Sequence, residues 1–352
     1  MGKLAVYKYF SFMVLVITAL MAIFTIFGLF GGNSNPATST VMGMLVYVLP
    51  LFIVADFVLL LFWLIRRRWH WALIPAVTLL CCIPYIGTIY QTGLFSSSDE
   101  SKSGIKIATY NVAVFGREIS GFKARDILAA MKRQKTDILC LQEYMENSGD
   151  QNNTESYCEY FNFYAKGRND MIVFSRFPIK DSGIIDFGPT NNSGMWADID
   201  VNGHAVRVFN VHLETTGFNR TIHKIAKMNM QGSHIEENTI IRAIYSNYTL
   251  GMVVRAGQAV KVAQEIRNSP NPVIVCGDFN DVPYSYVYNT MKGNLVDGFK
   301  ECGEGFMSTY RSKNKPVRID YIFHDELFTG ETYYKENLSY SDHNPVFMKI
   351  AL

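Results

Sequence analysis

The segment Pro272-Val-Ile-Val-Cys-Gly-Asp-Phe-Asn280 joins an apolar run to a carboxylate, Asp278, and a carboxamide, Asn280. A short apolar run followed by polar residues is typical of a buried β-strand that ends at a sheet edge. Similar polar groups occur in two stretches further along the chain, Arg318-Ile-Asp320-Tyr321 and Ser341-Asp342-His343-Asn-Pro345. Carboxylates bind hard divalent cations, amides bind phosphate oxygens and an imidazole transfers protons. The three stretches together predict a site for metal-assisted cleavage of a phosphate ester.

Upstream of this segment, polar residues also end predicted strands. Apolar or alternating runs predict strands at residues 105–110, 137–142, 171–175, 195–201, 205–213, 272–276, 318–323 and 345–350. Helical spacing predicts helices at 122–135, 219–238 and 240–268. Asn111, Glu143 and His212 come at or just past strand ends, as Asp278 and Asn280 do. Short strands with interspersed helices indicate a layered α/β domain whose strand ends converge on one rim.

Each of these polar residues, taken alone, is better explained as a turn former or a helix cap. Five of them at strand ends, followed by Asp320 and the Asp342-His343 pair, favour a functional site.

Charge limits the classes of substrate. The 352-residue chain has a net charge of +2. The first hundred residues carry five basic and three acidic side chains, which leaves 28 of each sign in residues 101–352. A neutral domain argues against a large basic surface for nucleic acid, although a local patch stays open. The six cysteines show no zinc-like spacing, and only Cys158 and Cys302 are placed to form a disulfide.

The N-terminal third is apolar enough to enter a membrane. Three stretches, 9–30, 41–65 and 71–90, each approach the roughly 20 residues that cross a bilayer core as a helix. They predict three transmembrane helices in an anchor of residues 1–92, a polar linker of residues 93–104 and a catalytic domain of residues 105–352. The first stretch is longer than the apolar part of a signal peptide, and two more stretches follow it.

Basic residues predict the orientation of this anchor. Lys3 and Lys8 precede the first stretch, and Arg66-Arg67-Arg68 follows the second. The positive-inside rule then places the N-terminus in the cytoplasm and the catalytic domain outside it, at a plasma or inner membrane. Asp56, within the second stretch, is either a polar contact for a ligand or, as we favour, a hydrogen bond between helices.

The motifs of the soluble domain resemble the endonuclease/exonuclease/phosphatase superfamily, which includes deoxyribonuclease-I-like nucleases and neutral sphingomyelinases. The matching pieces cover about residues 105–350: Thr109-Tyr-Asn111-Val, Leu141-Gln-Glu143, Ser175-Arg176-Phe-Pro-Ile179, Asn210-Val-His212-Leu213, Gly277-Asp-Phe-Asn280, Arg318-Ile-Asp320-Tyr-Ile322 and Ser341-Asp-His343. The resemblance implies a four-layer α/β sandwich of two mixed β-sheets flanked by helices, here preceded by the three transmembrane helices.

The resemblance also implies a role for each matched residue. Glu143, Asn111 and Asp342 correspond to ligands of Mg²⁺, for which Mn²⁺ is an alternative. Asp278 corresponds to the group that orients or deprotonates water, and Asn280 to a phosphate contact. His343 corresponds to a phosphate-binding imidazole that Asp320 orients, and His212 to a second such imidazole. Asn210 and Arg176 correspond to substrate-binding residues.

Three functions follow from these expectations. The first is a membrane-anchored, extracytoplasmic, Mg²⁺-dependent phosphodiesterase whose substrate is a phospholipid head group. The second is a nuclease acting on DNA or RNA. The third is a non-catalytic module that binds a phosphorylated ligand, which the complete set of site residues disfavours. The expected partners are the phosphodiester substrate and the lipid bilayer, and no protein partner is evident. Residues 214–254 are a substrate-recognition cap, a surface that touches lipid or a plain helix at the sheet edge.

Overall fold

A computed structural model describes residues 3–93, 104–116, 124–148, 151–168, 170–215, 237–311 and 317–352. The chain divides into two compact units. One unit comprises Met1–Thr88 with Tyr284–Asn289, and the other comprises Ile89–Pro283 with Thr290–Leu352. The helix predicted at 219–238 lies almost entirely outside the described residues.

The first unit consists mainly of apolar helices. They are α1 (Lys3–Gly31), α2 (Thr40–Ile65), α3 (Trp69–Cys81) and the short α4 (Ile83–Ile86). By length and composition, two segments of the described chain qualify as membrane spans: Val6–Gly31 and Thr40–Ile65. A signal sequence or the core helix of a soluble protein can have the same length and composition.

The third predicted transmembrane helix is corrected by the structure. Helix α3 has 13 residues, which at 1.5 Å per residue is about 20 Å, short of the ~30 Å bilayer core. The predicted stretch fails to form one helix because Pro84 has no N–H group with which to continue it, and Tyr90 already belongs to a strand. Apolar composition therefore extends past the point where the helix ends.

Two polar contacts join α1 to α2. The Thr25 hydroxyl lies 2.5 Å from Asp56 Oδ2, and Trp63 Nε1 donates to Thr18 Oγ1 at 2.9 Å. All four residues are buried. Asp56 thus makes the helix–helix contact that its position in the sequence favours.

The second unit contains two six-stranded mixed sheets. Its strands are β1 (Tyr90–Thr92), β2 (Ile105–Asn111), β3 (Ile138–Gln142), β4 (Asn147–Ser148), β5 (Gln151–Asn152), β6 (Phe163–Lys166), β7 (Ile172–Ser175), β8 (Ile179–Ile185), β9 (Ser193–Val201), β10 (His204–His212), β11 (Val273–Asp278), β12 (Val296–Asp297), β13 (Glu304–Phe306), β14 (Asp320–His324), β15 (Thr329–Lys335) and β16 (Val346–Ala351). Its described helices are α5 (Ala113–Gly116), α6 (Ala124–Arg133), α7 (Asn153–Cys158), α8 (Glu237–Arg267), α9 (Tyr286–Lys292), which this unit shares with the first, and α10 (Gly298–Cys302).

The two sheets have the same organisation. The first has the strand order β15-β16-β2-β3-β7-β6, and the second has the order β12-β14-β11-β10-β9-β8. Each contains one parallel pair, β2 with β3 and β10 with β11, among antiparallel neighbours. This arrangement confirms the predicted α/β fold with two mixed sheets flanked by helices.

Alternation along the strands builds two apolar layers. Along β2, Ile105 and Ile107 enter the core between the sheets, whereas Ala108 and Tyr110 enter the core beneath α6. This is the period-2 pattern of a strand buried on both faces. Since both faces are covered, the strand ends are where polar side chains can reach solvent.

A short strand just after the apolar helices joins the second unit. Strand β1 pairs antiparallel with β13, and the Tyr90 and Phe306 rings lie 4.8 Å apart. The predicted anchor of residues 1–92 thus ends in a strand of the second unit.

Candidate active site

The structure brings most of the predicted site residues to one rim of the second unit. Asn111 ends β2, His212 ends β10 and Asp278 ends β11, while Asp320 begins β14. Glu143 directly follows β3, and His343 lies just before β16. Parallel strands point their carboxyl ends the same way, so the two parallel pairs deliver their polar residues together.

Asp278 lies at the centre of this group. Its Oδ1 accepts the backbone N–H of Asn280 at 2.8 Å, and its Oδ2 accepts Asn111 Nδ2 at 3.1 Å. The ring Nε2 atoms of His343 and His212 lie 3.7 and 3.9 Å from the same Oδ2. Burial raises the pKa of Asp278 to about 6, and Asp320 adds to the rise while His343 and His212 oppose it.

His343 and Asp320 form a buried dyad. The Nδ1 atom of His343 lies 3.0 and 3.2 Å from the two carboxylate oxygens of Asp320. Burial alone would lower the pKa of His343, but the carboxylates of Asp320 and Asp278 outweigh it and raise the pKa to about 10. The imidazole is therefore a cation at neutral pH, and its Nε2 faces the centre of the site.

Glu143 and Asn280 adopt a backbone conformation that few residues prefer. Both have φ of +51°, in the left-handed region. A non-glycine residue held there costs of order 1–3 kcal/mol and persists when surrounding contacts fix it. Asn280 is fixed partly by its Nδ2, which donates to the carbonyl of Leu213 at 2.9 Å. Glu143 directly follows buried strand β3, and Asn280 lies two residues past the end of buried strand β11.

His212 lies between Glu143 and Asp278. Its Nε2 is 3.9 Å from Glu143 Oε1 and 3.9 Å from Asp278 Oδ2. Its other ring nitrogen, Nδ1, is buried and has no hydrogen-bond partner among the described residues. A buried ring nitrogen of this kind costs free energy unless a ligand or water satisfies it.

Two donor sets in this group fit a divalent cation to different degrees. Asp278, Asp320 and His343 each offer one atom within 4.8 Å of the others. A metal ligand must be deprotonated, however, and the elevated pKa of His343 makes this set an ion pair instead. Glu143 fits better, because its carboxylate side chain is 35% exposed and Mg²⁺ keeps several waters beside one or two carboxylates.

Asn111 supports Glu143 in this arrangement. Its Nδ2 donates to Glu143 Oε1 at 3.0 Å as well as to Asp278, and its Oδ1 accepts the N–H of Ala113 at 3.0 Å. The amino group, which cannot ligate a metal, thus faces both carboxylates. In this structure Asn111 orients both carboxylates, and the metal-ligand role that the resemblance implies stays a prediction.

Asp342 lies at the exposed edge of the site. Its carboxylate is 3.4 Å from the hydroxyl of Ser341, which donates to the carbonyl of Asn111 at 2.7 Å. Its negative charge also contributes to the raised pKa of His343. Asp342 thus reaches the site through Ser341 and Asn111.

The structure places the two predicted substrate-binding residues, Asn210 and Arg176, away from the group around Asp278. Asn210 is fully buried between the sheets, where its Nδ2 donates to the carbonyls of Leu141 and Ile172 and its Oδ1 accepts from Gln142. Because all of these groups are internal, Asn210 joins the sheets and has no face toward a substrate.

Arg176 lies at the opposite edge of the first sheet. It follows β7, which runs antiparallel to β3 and therefore ends where β3 begins. There Arg176 Nη1 donates to Asp137 Oδ1 at 2.9 Å, and the guanidinium lies over the Tyr160 ring. Sequence order alone does not distinguish the two ends of a sheet.

Asp170 is a site residue that the motifs do not identify. Burial raises the pKa of its carboxyl, and His212 opposes that rise, so the carboxyl lies within electrostatic reach of the imidazole. The backbone N–H groups of Asp170 and Glu143 also oppose the rise in pKa, and Tyr144 N–H donates to the Asp170 carbonyl at 2.8 Å. An acid immediately before strand β7 was the available sequence signal.

Profiles of known protein families match both parts of the chain. A profile of the Endonuclease/Exonuclease/phosphatase family matches residues 108–343, a range that contains every residue of this site. A profile of a domain of unknown function matches residues 11–89. No curated protein is significantly similar in sequence.

Solved structures share the fold of the second unit. D. rerio TDP2 humanised by 14 mutations is 18% identical, with a TM-score of 0.53 over 71% of this chain and 100% of that chain. A Bacteroides vulgatus endonuclease/exonuclease/phosphatase is 17% identical, with a TM-score of 0.52 over 71% and 100%. The human Nocturnin catalytic domain is 17% identical, with a TM-score of 0.50 over 72% and 95%. At these identities the likeness concerns the fold alone.

Proposed function

This chain belongs to the endonuclease/exonuclease/phosphatase family, and from that membership we propose that it hydrolyses a phosphodiester by metal-assisted attack of water. Family membership supports a hydrolase of phosphoric esters. The observation that carries the proposal is the environment of Asp278. This one carboxylate accepts hydrogen bonds from Asn111 and Asn280 and has two imidazoles within 4 Å.

Each residue of the site has a defined part in such a reaction. Asp278 orients the attacking water and accepts its proton. The cationic imidazole of His343, held by Asp320, stabilises the charge on a phosphoryl oxygen. His212 offers its N–H to the phosphate or the leaving group. Mg²⁺ bound at Glu143 would polarise the phosphoryl group and offset charge on the leaving oxygen.

A metal titration tests this function. We expect EDTA to abolish hydrolysis of bis(4-nitrophenyl) phosphate by the full-length chain in detergent, and Mg²⁺ to restore it. Replacing Glu143 by glutamine should weaken the apparent metal affinity by at least about 10–100-fold, the loss found when only a residue supporting a metal ligand is removed, and excess Mg²⁺ should recover much of kcat.

The matched control is Glu146→Gln, three residues along the chain. Glu146 forms an exposed ion pair with Lys166, so its loss should leave the metal dependence unchanged. Activity that EDTA does not affect would refute the metal-assisted reaction. An equal shift in both variants would remove Glu143 from the metal site.

We also propose that the N-terminal helices anchor the chain in a membrane. Two helices of the described chain are long and apolar enough to span one, and 17% of each apolar window is buried, less than in the core helix of a soluble protein. Lys3, Lys8 and Arg66–Arg68 support a cytoplasmic N-terminus. Because α3 is too short to span, two spanning helices return the chain to the side on which it began, and the catalytic unit lies in the cytoplasm with the N-terminus.

Protease protection tests this orientation. Protease added to intact cells, or to spheroplasts where an outer membrane is present, is expected to leave residues 105–352 intact and to digest them only after the membrane is permeabilised. Digestion in intact cells would show that the chain crosses a third time and would refute this orientation. A cytoplasmic marker protein should survive intact in the same sample.

We propose a phospholipid head group as the substrate, because an anchored enzyme meets lipid continuously and residues 101–352 carry equal numbers of acidic and basic side chains. Salt should then affect turnover weakly. An enzyme making six to ten phosphate contacts with DNA loses about 10³–10⁵-fold in affinity between 50 and 200 mM salt. We expect kcat/KM for phospholipid in mixed micelles to fall far less. Faster turnover of DNA or RNA, with that steep salt dependence, would favour a nuclease.

A further inference from the structure

Helix α8 carries a charged residue on the face that it buries. Its buried positions include Met252, Arg255, Ala256 and Ala259, at the i, i+3, i+4, i+7 spacing of a helix packed on a sheet, and Gln258 is buried beside them. The guanidinium of Arg255 is fully buried. A buried charge costs several kcal/mol unless ion pairs and hydrogen bonds satisfy it.

The partners of Arg255 lie beside both loops of the active site. Its Nε donates to Asp281 Oδ2 at 3.0 Å, and Asp281 directly follows Asn280. Its Nη1 donates to the carbonyl of Glu214 at 2.7 Å, and Glu214 is two residues past His212. One side chain therefore contacts both the loop that carries Asn280 and the residues just past His212.

Gln258, on the same face of α8, completes these contacts. Its Oε1 accepts the backbone N–H of Glu214 at 2.7 Å, so α8 binds both backbone polar groups of that residue. Asp281 is equally fixed, because its Oδ1 accepts the N–H of Val282 and its carbonyl accepts the hydroxyl of Tyr321 at 2.8 Å. The loops have little freedom to move apart.

We propose that Arg255 and Gln258 are positioning residues that hold the segment just past His212 against the loop just past Asp278, beyond the point where β10 and β11 pair, during phosphodiester hydrolysis. This inference rests on the proposed function. Asp281 neutralises the guanidinium, so Arg255 acts on the reaction through geometry. Fixing Asp281 also holds its neighbour Asn280 in the left-handed conformation that the chain would otherwise leave.

Substitution of Arg255 by lysine tests the proposal in the full-length chain. Lysine keeps the charge but presents a single ammonium, which cannot bond Asp281 and Glu214 in the forked geometry of arginine. We expect kcat for bis(4-nitrophenyl) phosphate with Mg²⁺ to fall by about 10²-fold, the effect of misplacing reacting groups by about 1 Å. Gln258→Met removes the hydrogen bond from the Glu214 N–H and leaves the two Arg255 bonds in place, so it provides a milder second variant.

Arg207→Lys is the matched control. Arg207 forms a bidentate pair with Asp198, with bonds of 2.7 and 2.6 Å, toward the opposite end of strand β10 from His212. This variant should lose thermal stability while keeping the wild-type kcat. Amide hydrogen exchange at Asn280 and Glu214 should accelerate in Arg255→Lys and stay unchanged in Arg207→Lys.

The outcomes separate the two proposals. If the wild-type protein is inactive but exchange accelerates in Arg255→Lys, the proposed function is refuted. The conclusion that Arg255 holds the Asp281 and Glu214 segments in place would still stand. Active Arg255→Lys within about threefold of wild type, equivalent to roughly 0.65 kcal/mol of barrier, would overturn the positioning role. So would an equal loss of kcat in Arg207→Lys, since a general loss of stability would then account for both.

Discussion

Replacing Asp278 by asparagine is expected to lower kcat for phosphodiester hydrolysis by about 10²–10⁴-fold, the usual contribution of a general base. Asparagine keeps an oxygen that can accept the N–H of Asn280. Its amino group then meets Nδ2 of Asn111, where the wild-type Oδ2 accepts a bond of 3.1 Å. The variant therefore loses the negative charge and also opposes two donors. Single-turnover kinetics at saturating Mg²⁺ measure the loss of rate.

Thermal unfolding distinguishes this loss from misfolding. The pKa of Asp278 is raised to about 6 in the folded chain, above the value of an unfolded carboxyl. A carboxyl with a raised folded pKa destabilises the fold as pH rises above its unfolded pKa, so ionised Asp278 weakens the fold at neutral pH. Asparagine removes that charge, which offsets the cost of the opposed donors, and Tm in EDTA is expected to stay close to the wild-type Tm. A kcat within threefold of wild type would exclude Asp278 as the base.

The His343–Asp320 dyad is expected to behave as one catalytic unit. His343→Ala should lower kcat by about 10²–10⁴-fold, because it removes the cation that faces the phosphoryl group. Asp320→Asn should lower kcat through His343, since it removes the carboxylate that raises the pKa of that imidazole and orients Nδ1. In the double variant the losses should not add, because both substitutions disable the same group.

A double-mutant cycle measures this coupling. Asp325→Asn serves as the control, because Asp325 follows the other end of strand β14 from Asp320. Its Oδ1 accepts the N–H of Leu327 at 3.1 Å, a bond that asparagine can keep. Losses that multiply in the double variant would show that His343 and Asp320 act independently.

The sequence predicted the fold and much of the site because both depend on strand ends. Apolar runs marked the strands, and polar residues directly behind them marked one edge of each sheet, so Asn111, Glu143, His212 and Asp278 were predicted to meet. The prediction needed only the direction of each strand and the alternation of buried residues along it. Both can be read from the local order of residues in the sequence. The structure confirmed the two sheets and placed these side chains together.

Other features depend on contacts between distant residues and left no local pattern. Arg176 follows a strand as Glu143 does, yet strand β7 runs the opposite way and takes Arg176 to the other edge. Asn210 belongs to a motif near His212, but alternation turns its side chain into the space between the sheets. The contacts of Arg255 depend on where α8 packs, which helical periodicity does not specify.

The pairing of β2 with β16 has a consequence for biosynthesis. The strand that carries Asn111 lies between β3, which follows soon after it, and β16, which leaves the ribosome far later. His343 emerges just before β16, so the nascent chain exposes Glu143 and Asn111 long before the His343 imidazole can join them. Such non-local pairing slows folding. We expect the enzyme to stay inert throughout translation, and to become able to cleave phosphate esters only when its last sheet closes.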